Sequence, residues 1–175
     1  LFLLLGNFRA AVITALVIPL SFLMMAIGMN RVGVSGNLMS LGALDFGLIV
    51  DGSVIIVENF LRRVSERQHE EGRLLALGER LEEVIASTRE MIRPSLFGQA
   101  IILLVFVPLL TFQGVEGKTF SPMAITVMLA LLSAFVISLT LVPALLALLI
   151  RGKVAEKEVR LVAWLKAKYE PALRK

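Results

Sequence analysis

Four apolar blocks, each free of Lys and Arg, constrain this chain more than any other feature. They are residues 10–29, 37–60, 95–112 and 121–150. A hydrocarbon core about 30 Å thick needs roughly 20 helical residues to cross it. The blocks bring the hydrophobic share to 57% and the mean hydropathy to +0.85, whereas soluble domains hold roughly 45–50% apolar residues. The sequence therefore predicts an all-α membrane protein, a polytopic transmembrane helix bundle.

The two ends of the chain predict further elements. Residues 1–6 are apolar and lack the basic region that a secretory signal needs, so we interpret them as the end of a preceding transmembrane helix. The other end breaks off at Lys175 without a closing element, and we expect the chain to be an internal piece of a longer protein. The absence of cysteine excludes disulfides and cysteine-based metal sites.

The distribution of basic residues predicts the orientation of the spans. Sixteen of the 18 Lys and Arg residues lie in 7–9, 61–94 and 151–175, and only Arg31 and Lys118 lie in the alternate connections. Basic residues near span ends remain cytoplasmic, so we expect the three basic segments inside the cell and the two short connections outside. The last segment also mixes apolar and basic residues, which is typical of an interfacial helix on the inner leaflet.

Segment 61–94 is predicted to be an amphipathic cytoplasmic connector. Its charges include the helix-spaced pairs Arg67–Glu71 and Arg80–Glu83. Its apolar residues recur at three- and four-residue intervals; they are Leu74, Leu77, Leu81, Val84, Ile85 and Ile92. The net charge of +4 is explained by membrane orientation, and it does not indicate nucleic-acid binding.

Three carboxylates in the second block need an explanation. Asp45, Asp51 and Glu58 lie in 37–60, which contains no basic residue. An ionisable group at mid-bilayer costs roughly 2.5–3.5 kcal/mol on insertion scales. At about 100° per residue, Asp51 and Glu58 point nearly the same way two turns apart, and Asp45 lies about 120° around from Asp51. We therefore expect Asp51 and Glu58 to share an interior path and Asp45 to address a different neighbour.

Carboxyl groups in such a span are suited to carrying protons. Desolvation raises a carboxyl pKa and a nearby cation lowers it, so a carboxylate that alternately meets and loses a cationic partner binds and releases a proton. A basic partner would have to come from outside the four blocks, because none of them contains one. The alternative is a structural hydrogen bond to a neighbouring helix, an interpretation that applies best to Glu58 near the cytoplasmic end.

Small residues and prolines in the blocks predict local geometry. Gly47 and Gly52 keep the acidic helix thin, which permits close approach of another helix or of water. Pro19, Pro108 and Pro143 lie inside spans, and we interpret them as helix kinks.

The acidic block also carries a recognisable motif. Asp45-Phe46-Gly47 is followed by Asp51-Gly52 and by Glu58-Asn59, and this pattern closely resembles the fourth transmembrane helix of resistance-nodulation-division (RND) exporters. The Asp-Phe-Gly form is similar to the heavy-metal efflux branch of cobalt-zinc-cadmium type. Supporting stretches are Leu5-Gly6-Asn7-Phe8-Arg9, Arg93-Pro94 and Phe120-Ser121-Pro122-Met123-Ala124. The resemblance runs from the end of the second transmembrane helix to the sixth and the cytoplasmic helix after it.

The resemblance implies a proton-driven antiporter, not an enzyme, that exports divalent heavy-metal cations of the Zn, Co, Cd or Ni type. It implies a multi-pass homotrimer in the bacterial inner membrane, working with a periplasmic adaptor protein and an outer-membrane channel. Asp45, Asp51 and Glu58 match the proton relay of that branch, with Asp51 at its centre. No catalytic residue, metal ligand or cofactor is expected here, because protons are the coupling ion and the metal-selecting porter region lies elsewhere. Met39 is the only methionine of the acidic block, which favours these metals over copper and silver.

Three other interpretations stay open. An RND exporter of organic compounds or drugs shares the architecture, and only the porter region would distinguish it. An intramembrane aspartyl protease also uses two membrane aspartates, but such families place them on separate helices, whereas Asp45 and Asp51 lie on one. A non-catalytic scaffold or receptor of the same superfamily is the third, although three acids in one span are costly for a scaffold.

Overall fold

The computed structural model describes residues 5–36 and 46–150 as a helical bundle. Its helices are α1 (Phe8–Val32), α2 (Phe46–Glu71), α3 (Leu77–Phe106) and α4 (Gly114–Leu149), and a 3-10 turn (Val107–Thr111) joins α3 to α4. No strand occurs in these two ranges. The all-α prediction is therefore confirmed for the described part of the chain.

Local sequence signals set the limits of α1. Asn7 is its N-cap, and the side-chain Oδ1 accepts hydrogen bonds from the amides of Arg9 (3.0 Å) and Ala10 (3.4 Å). These bonds satisfy donors that the start of a helix leaves open. Gly33 ends the helix with φ +74°, and its amide donates to the carbonyl of Met29. This left-handed backbone conformation at a helix C-terminus is usually adopted by glycine, because glycine has no Cβ.

A short turn reverses the chain between α2 and α3. Gly72 has φ +64°, and its amide donates to the carbonyl of Gln68 at 3.1 Å. The amide of Ala76 donates to the carboxylate of Glu79 at 2.7 Å, which satisfies a donor at the start of α3. α2 and α3 therefore lie side by side as an antiparallel pair.

Proline 108 ends the regular part of α3. The amide of Val107 donates to Leu104, three residues back, and Pro108 has no amide hydrogen with which to continue the α-helical ladder. The chain continues as the 3-10 turn, so the prediction that Pro108 kinks a helix from within is wrong. Pro19 and Pro143 do lie inside α1 and α4.

Helix α4 is the centre of the described bundle, because it packs against α1, α2 and α3. Two apolar clusters run along it. The first, at the end near Glu58, contains Val17, Ile56, Phe60, Val84, Ile137 and Leu146 among its buried members. The second, at the other end, contains Met25, Met29, Ile49, Val127 and Leu131. Burial of these side chains fixes which face of each helix points inward.

Three segments are long and apolar enough to cross a membrane: α1, Leu77–Thr111 and α4. Helix α2 is not among them within the described residues, because its described part starts at Phe46 and is charged over its second half. A membrane crossing by 37–60 therefore stays a prediction. Predictions that fall on residues 1–4, 37–45 and 151–175 lie outside the described part of the chain.

The helices extend beyond the predicted span limits. The segment interpreted as a connector, 61–94, consists of the C-terminal part of α2, the short turn and the N-terminal part of α3. Helix α4 begins at Gly114, seven residues before the predicted limit at 121. The apolar blocks of the sequence predict only the part of each helix that crosses the bilayer. The helical hydrogen bonding continues past the point where the sequence becomes charged.

Candidate functional site

Asp51 and Glu58 lie on one exposed face of α2, with Ile55 between them. Ile55 retains 42% of its surface, and both carboxylates are exposed. Seven residues of helix separate the acids, which corresponds to about 10 Å along the axis. The two acids therefore share a face, as their spacing predicts. Asp45 lies outside the described residues.

Packing fixes the opposite face of α2. Ile56, Val57 and Phe60 are completely buried and belong to the apolar cluster around α4. Gly52 lies against α4, where an added Cβ would stand 3.4 Å from the Ser138 hydroxyl. The close helix approach predicted for this glycine is present, and it turns Asp51 and its face away from the described core.

Neither Asp51 nor Glu58 forms a hydrogen bond or ion pair within residues 5–36 and 46–150. The buried hydroxyls nearby bond to their own helices. Ser53 donates to the Val50 carbonyl at 2.7 Å, and Ser138 donates to the Phe135 carbonyl at 2.8 Å. The acidic face of α2 is therefore open to a partner supplied from outside the described residues.

A buried asparagine joins α2 to α3 directly beside Glu58. Asn59 is 7% exposed, and its Nδ2 donates to Glu90 Oε2 at 3.0 Å and to the Ser87 carbonyl at 3.4 Å. Its Oδ1 accepts a hydrogen bond from Arg62 Nη2 at 2.9 Å. Arg62 also bonds to Glu66 Oε1 at 2.8 Å through Nη1. The acidic face thus ends in an ordered polar group at the charged end of α2.

An ion-pair network holds the charged parts of α2 and α3 together. Arg63 Nε contacts Glu83 Oε2 at 2.9 Å, and Arg67 Nη1 contacts Glu83 Oε1 at 2.9 Å. The predicted pair Arg67–Glu71 is present at 2.8 Å. Hydrogen bonds to Glu71 and Glu83 raise the pKa of the Arg67 guanidinium above its ordinary value. Arg73, which follows Gly72 in the turn, contacts Glu71 at 2.6 Å.

The predicted Arg80–Glu83 pair is not formed. Arg80 is 8% exposed, and its Nη1 donates instead to the carbonyl of Ile150 at 2.7 Å, at the end of α4. Glu83 faces the arginines of α2. Of the predicted apolar stripe only Val84 is buried, and the exposed members are Leu74, Leu77, Leu81, Ile85 and Ile92. Sequence spacing identifies neighbours on one helix but cannot rank them against partners on another helix.

Asn59 was identified from the sequence only as part of the motif, and Arg62 and Glu90 were not singled out. The available signal was local: a polar residue directly after Glu58 and an arginine one turn further, at the end of an apolar block. The role of Glu90 could not be read in the same way, because it depends on α3 folding back along α2.

No group of three or more His, Cys, Asp or Glu side chains in residues 5–36 and 46–150 could hold a metal ion. Metal–oxygen bonds are about 2.0–2.6 Å long, so Asp51 and Glu58, about 10 Å apart along the helix, cannot share one ion.

Long apolar helices packed together with an acidic one are the features of a multi-pass membrane protein. The sequence matches the AcrB/AcrD/AcrF family over residues 1–175, and the chain belongs to that family.

Two similar proteins are named for resistance to metals. The chain is 70% identical to the nickel-cobalt-cadmium resistance protein NccA of Alcaligenes xylosoxydans xylosoxydans over 175 residues, which is 100% of this chain and 16% of that protein. It is 55% identical, with the same coverage, to the cobalt-zinc-cadmium resistance protein CzcA of Cupriavidus metallidurans. A crystal structure of a heavy metal efflux pump superimposes with a TM-score of 0.74 at 37% identity, covering 99% of this chain and 15% of that one. The chain thus spans about one sixth of the length of these relatives.

Proposed function

We propose that this chain is the proton-translocating part of a secondary active transporter that exports divalent metal cations in exchange for protons. The observation that carries the proposal is the face of α2 on which Asp51 and Glu58 lie without a partner in the described residues. Carboxylates at membrane depth are costly to keep charged, and such residues mark ion pathways and proton relays. Asp45, Asp51 and Glu58 together form the proposed relay.

The direction of proton flow follows from the predicted orientation. Asp51 lies deeper in the acidic helix, whereas Glu58 lies beside the charged pair of helices that is predicted to face the cytoplasm. Protons bound at Asp51 would therefore leave through Glu58 and cytoplasmic water. A basic side chain from another part of the transporter would meet the open face of α2 and change the affinity of Asp51 for protons.

The substrate class rests on the relatives. NccA and CzcA are named for resistance to nickel, cobalt, cadmium and zinc, and the superimposed structure is titled a heavy metal efflux pump. We infer that the substrate of this transporter belongs to the same group of divalent cations. Export of organic compounds is the competing function, and a transport assay with both substrate classes distinguishes the two.

The assembly is part of the same proposal. A multi-pass transporter in the inner membrane moves ions out of the cell envelope only if a path continues beyond that membrane. We therefore propose that it works with a periplasmic adaptor protein and an outer-membrane channel, and we propose a homotrimer because the chain belongs to the AcrB/AcrD/AcrF family. The trimer is tested by purifying the full-length protein from membranes and measuring its molar mass by light scattering.

The experiment that tests the function replaces Asp51 by Asn in the full-length transporter. Purified protein in proteoliposomes with an imposed pH gradient is assayed for transport of Zn²⁺, Co²⁺, Ni²⁺ and Cd²⁺ and for proton flux. We expect Asp51→Asn to abolish both fluxes while expression and trimer size stay normal, because the amide has the same shape but binds no proton.

Glu116→Gln is the matched control. Glu116 is an exposed carboxylate in the first turn of α4, and the same carboxylate-to-amide change there should leave transport at the unsubstituted level. Metal-driven proton flux that persists in Asp51→Asn would refute the relay, whereas transport of organic compounds alone would refute the substrate class.

A further inference from the structure

Arg62 stands midway between two carboxylates on the surface of α2. Glu58 precedes it by four residues and Glu66 follows it by four, so both lie one turn away, with Cβ atoms about 5–6 Å from that of Arg62. In the structure Arg62 bonds to Glu66 at 2.8 Å and to Asn59 at 2.9 Å. Glu58 has no ion pair within the described residues. One guanidinium therefore has two alternative acidic partners.

The observed pair, Arg62–Glu66, is weaker than a Glu58–Arg62 pair would be, because of the order of acid and base along the helix. An acid that precedes a base by four residues pairs better than an acid that follows one, so Glu58–Arg62 has the preferred order and Arg62–Glu66 the reverse. The Arg62 and Glu66 side chains are 51% and 49% exposed. A pair this exposed changes an equilibrium constant by only about twofold, so Arg62 exchanges partners at little cost.

Asn59 gives Arg62 a defined resting position. The Asn59 side chain is held by Glu90 and by the Ser87 carbonyl, which leaves its Oδ1 directed at Arg62 Nη2. This neutral acceptor holds the guanidinium but cannot match the attraction of a negatively charged carboxylate. The structure thus shows Arg62 resting with Asn59 and Glu66 while Glu58 has no partner among the described residues.

The other charges on the elements packed against α2 are engaged, distant or, for Arg89 and Arg93 of α3, exposed without an ion pair among the described residues. On α3, Glu83 and Glu90 contact Arg63 at 2.9 Å and 3.6 Å, and the remaining charges near this level of the helix are Arg89 and Arg93. Helix α1 contributes Arg9, which bonds to the Leu149 carbonyl. The charged residues of α4 are Glu116 and Lys118, at its opposite end.

We propose that Arg62 is a positioning residue that follows the charge of Glu58 and so regulates proton release at the cytoplasmic end of the relay. Glu58 passes its proton to cytoplasmic water, and the resulting carboxylate draws Arg62 away from Glu66 and Asn59. When Glu58 takes up the next proton from Asp51, Arg62 returns. This inference rests on the proposed function, because it assigns Glu58 a place in the relay.

The test measures protonation of Glu58 directly in the full-length transporter. Infrared difference spectra recorded against pH report the C=O band of the protonated carboxyl group, assigned by its loss in Glu58→Gln. Arg62→Gln removes the cation that stabilises ionised Glu58, so the midpoint of the band should move to higher pH by about 0.2–0.4 units, the value of one exposed helix pair. Arg62→Lys should restore part of this shift.

Glu66→Gln gives the decisive comparison. It removes the competing partner of Arg62, so the guanidinium pairs with Glu58 and the midpoint should move to lower pH. Glu82→Gln, a change at a side chain that is 73% exposed on α3, should leave the midpoint unchanged.

Shifts of the same sign in Arg62→Gln and Glu66→Gln, or equal midpoints in all variants, would overturn the inference, because a merely structural effect does not reverse with the sign of the removed charge. The spectroscopic reading is independent of transport. Loss of transport in Asp51→Asn, combined with a Glu58 midpoint that does not respond to Arg62→Gln or Glu66→Gln, would sink the role of Arg62 and leave the proposed function standing.

Discussion

Gly117 lies in the first turn of α4, where the chain has just left the 3-10 turn. A Cβ at this position would overlap the carbonyl oxygen of Phe112, which is backbone and cannot swing away. Gly114, three residues earlier, has φ +69°, a conformation that side chains disfavour. Two glycines at one junction thus permit a tight connection between α3 and α4, each for a different steric reason.

Replacing Gly117 by Ala should destabilise the protein by about 1–3 kcal/mol, because the added methyl forces the backbone at Phe112 to shift. The measurement is thermal unfolding of the purified full-length protein in detergent. Gly98→Ala is the control, since Gly98 lies within α3 with no atom within 4 Å of an added Cβ. There alanine should be neutral or stabilise by up to about 1 kcal/mol. Equal effects at both sites would contradict the steric argument.

Asp51 and Glu58 show which properties of single residues could be predicted from the sequence. The common face of Asp51 and Glu58 follows from helix geometry, since seven residues make nearly two whole turns. Their neighbours do not follow from it, because Asn59 is held by Glu90 on another helix and only then directs its Oδ1 at Arg62. The sequence thus predicted the direction of the acids and not the polar group that closes their face.

At the level of elements, the ion-pair network makes α2 and α3 a single antiparallel unit near their charged ends. Glu83 is its centre, because it contacts both Arg63 and Arg67 and its side chain is only 12% exposed. The pair within one helix, Arg67–Glu71, was predictable from spacing. The pairs between helices were not, because pairing across helices depends on how two faces are rotated towards each other.

Glu83→Gln should loosen this unit. The amide keeps the shape but loses the charge that two arginines share, so local opening should become roughly three- to tenfold more frequent. Limited digestion with trypsin measures this as faster cleavage after Arg73, which adjoins the turn at Gly72. Glu82→Gln is the control, because Glu82 has one contact of 3.6 Å and is 73% exposed. An unchanged cleavage rate in Glu83→Gln would show that apolar packing alone holds the pair.

At the level of the whole molecule, the described helices have exposed apolar surface and one exposed acidic face. Large side chains such as Phe97 (68% exposed) and Leu104 (69%) on α3 suit contact with lipid or with other helices. The chain is about one sixth of the length of its relatives. Family and helix content could be predicted because each block carries its own signal, whereas a partner of Asp51 could not, because none lies among residues 5–36 and 46–150.

The predicted orientation can be checked by cysteine labelling in intact cells. The chain contains no cysteine, so Lys118→Cys and Glu70→Cys introduce single sites into it. In a transporter otherwise free of cysteine, a membrane-impermeant maleimide should label Lys118→Cys from outside and Glu70→Cys only after permeabilisation, because basic segments remain in the cytoplasm. Both residues are exposed or half-exposed at the surface of their helices. Labelling of Glu70→Cys in intact cells would show that the predicted topology is inverted, and the proposed direction of proton flow would then be reversed as well.

The continuity of α2 has a mechanical consequence. From Asp51 to Glu71 the helix runs without interruption for about 30 Å, and its far end is clamped to α3. If α2 tilted by about 5° at Asp51, the turn at Gly72 would move by about 2–3 Å, and α3 would move with it. Under the proposed function, a change in the protonation of Asp51 would thus be transmitted to the turn at Gly72, as a lever enlarges a small rotation at its tip.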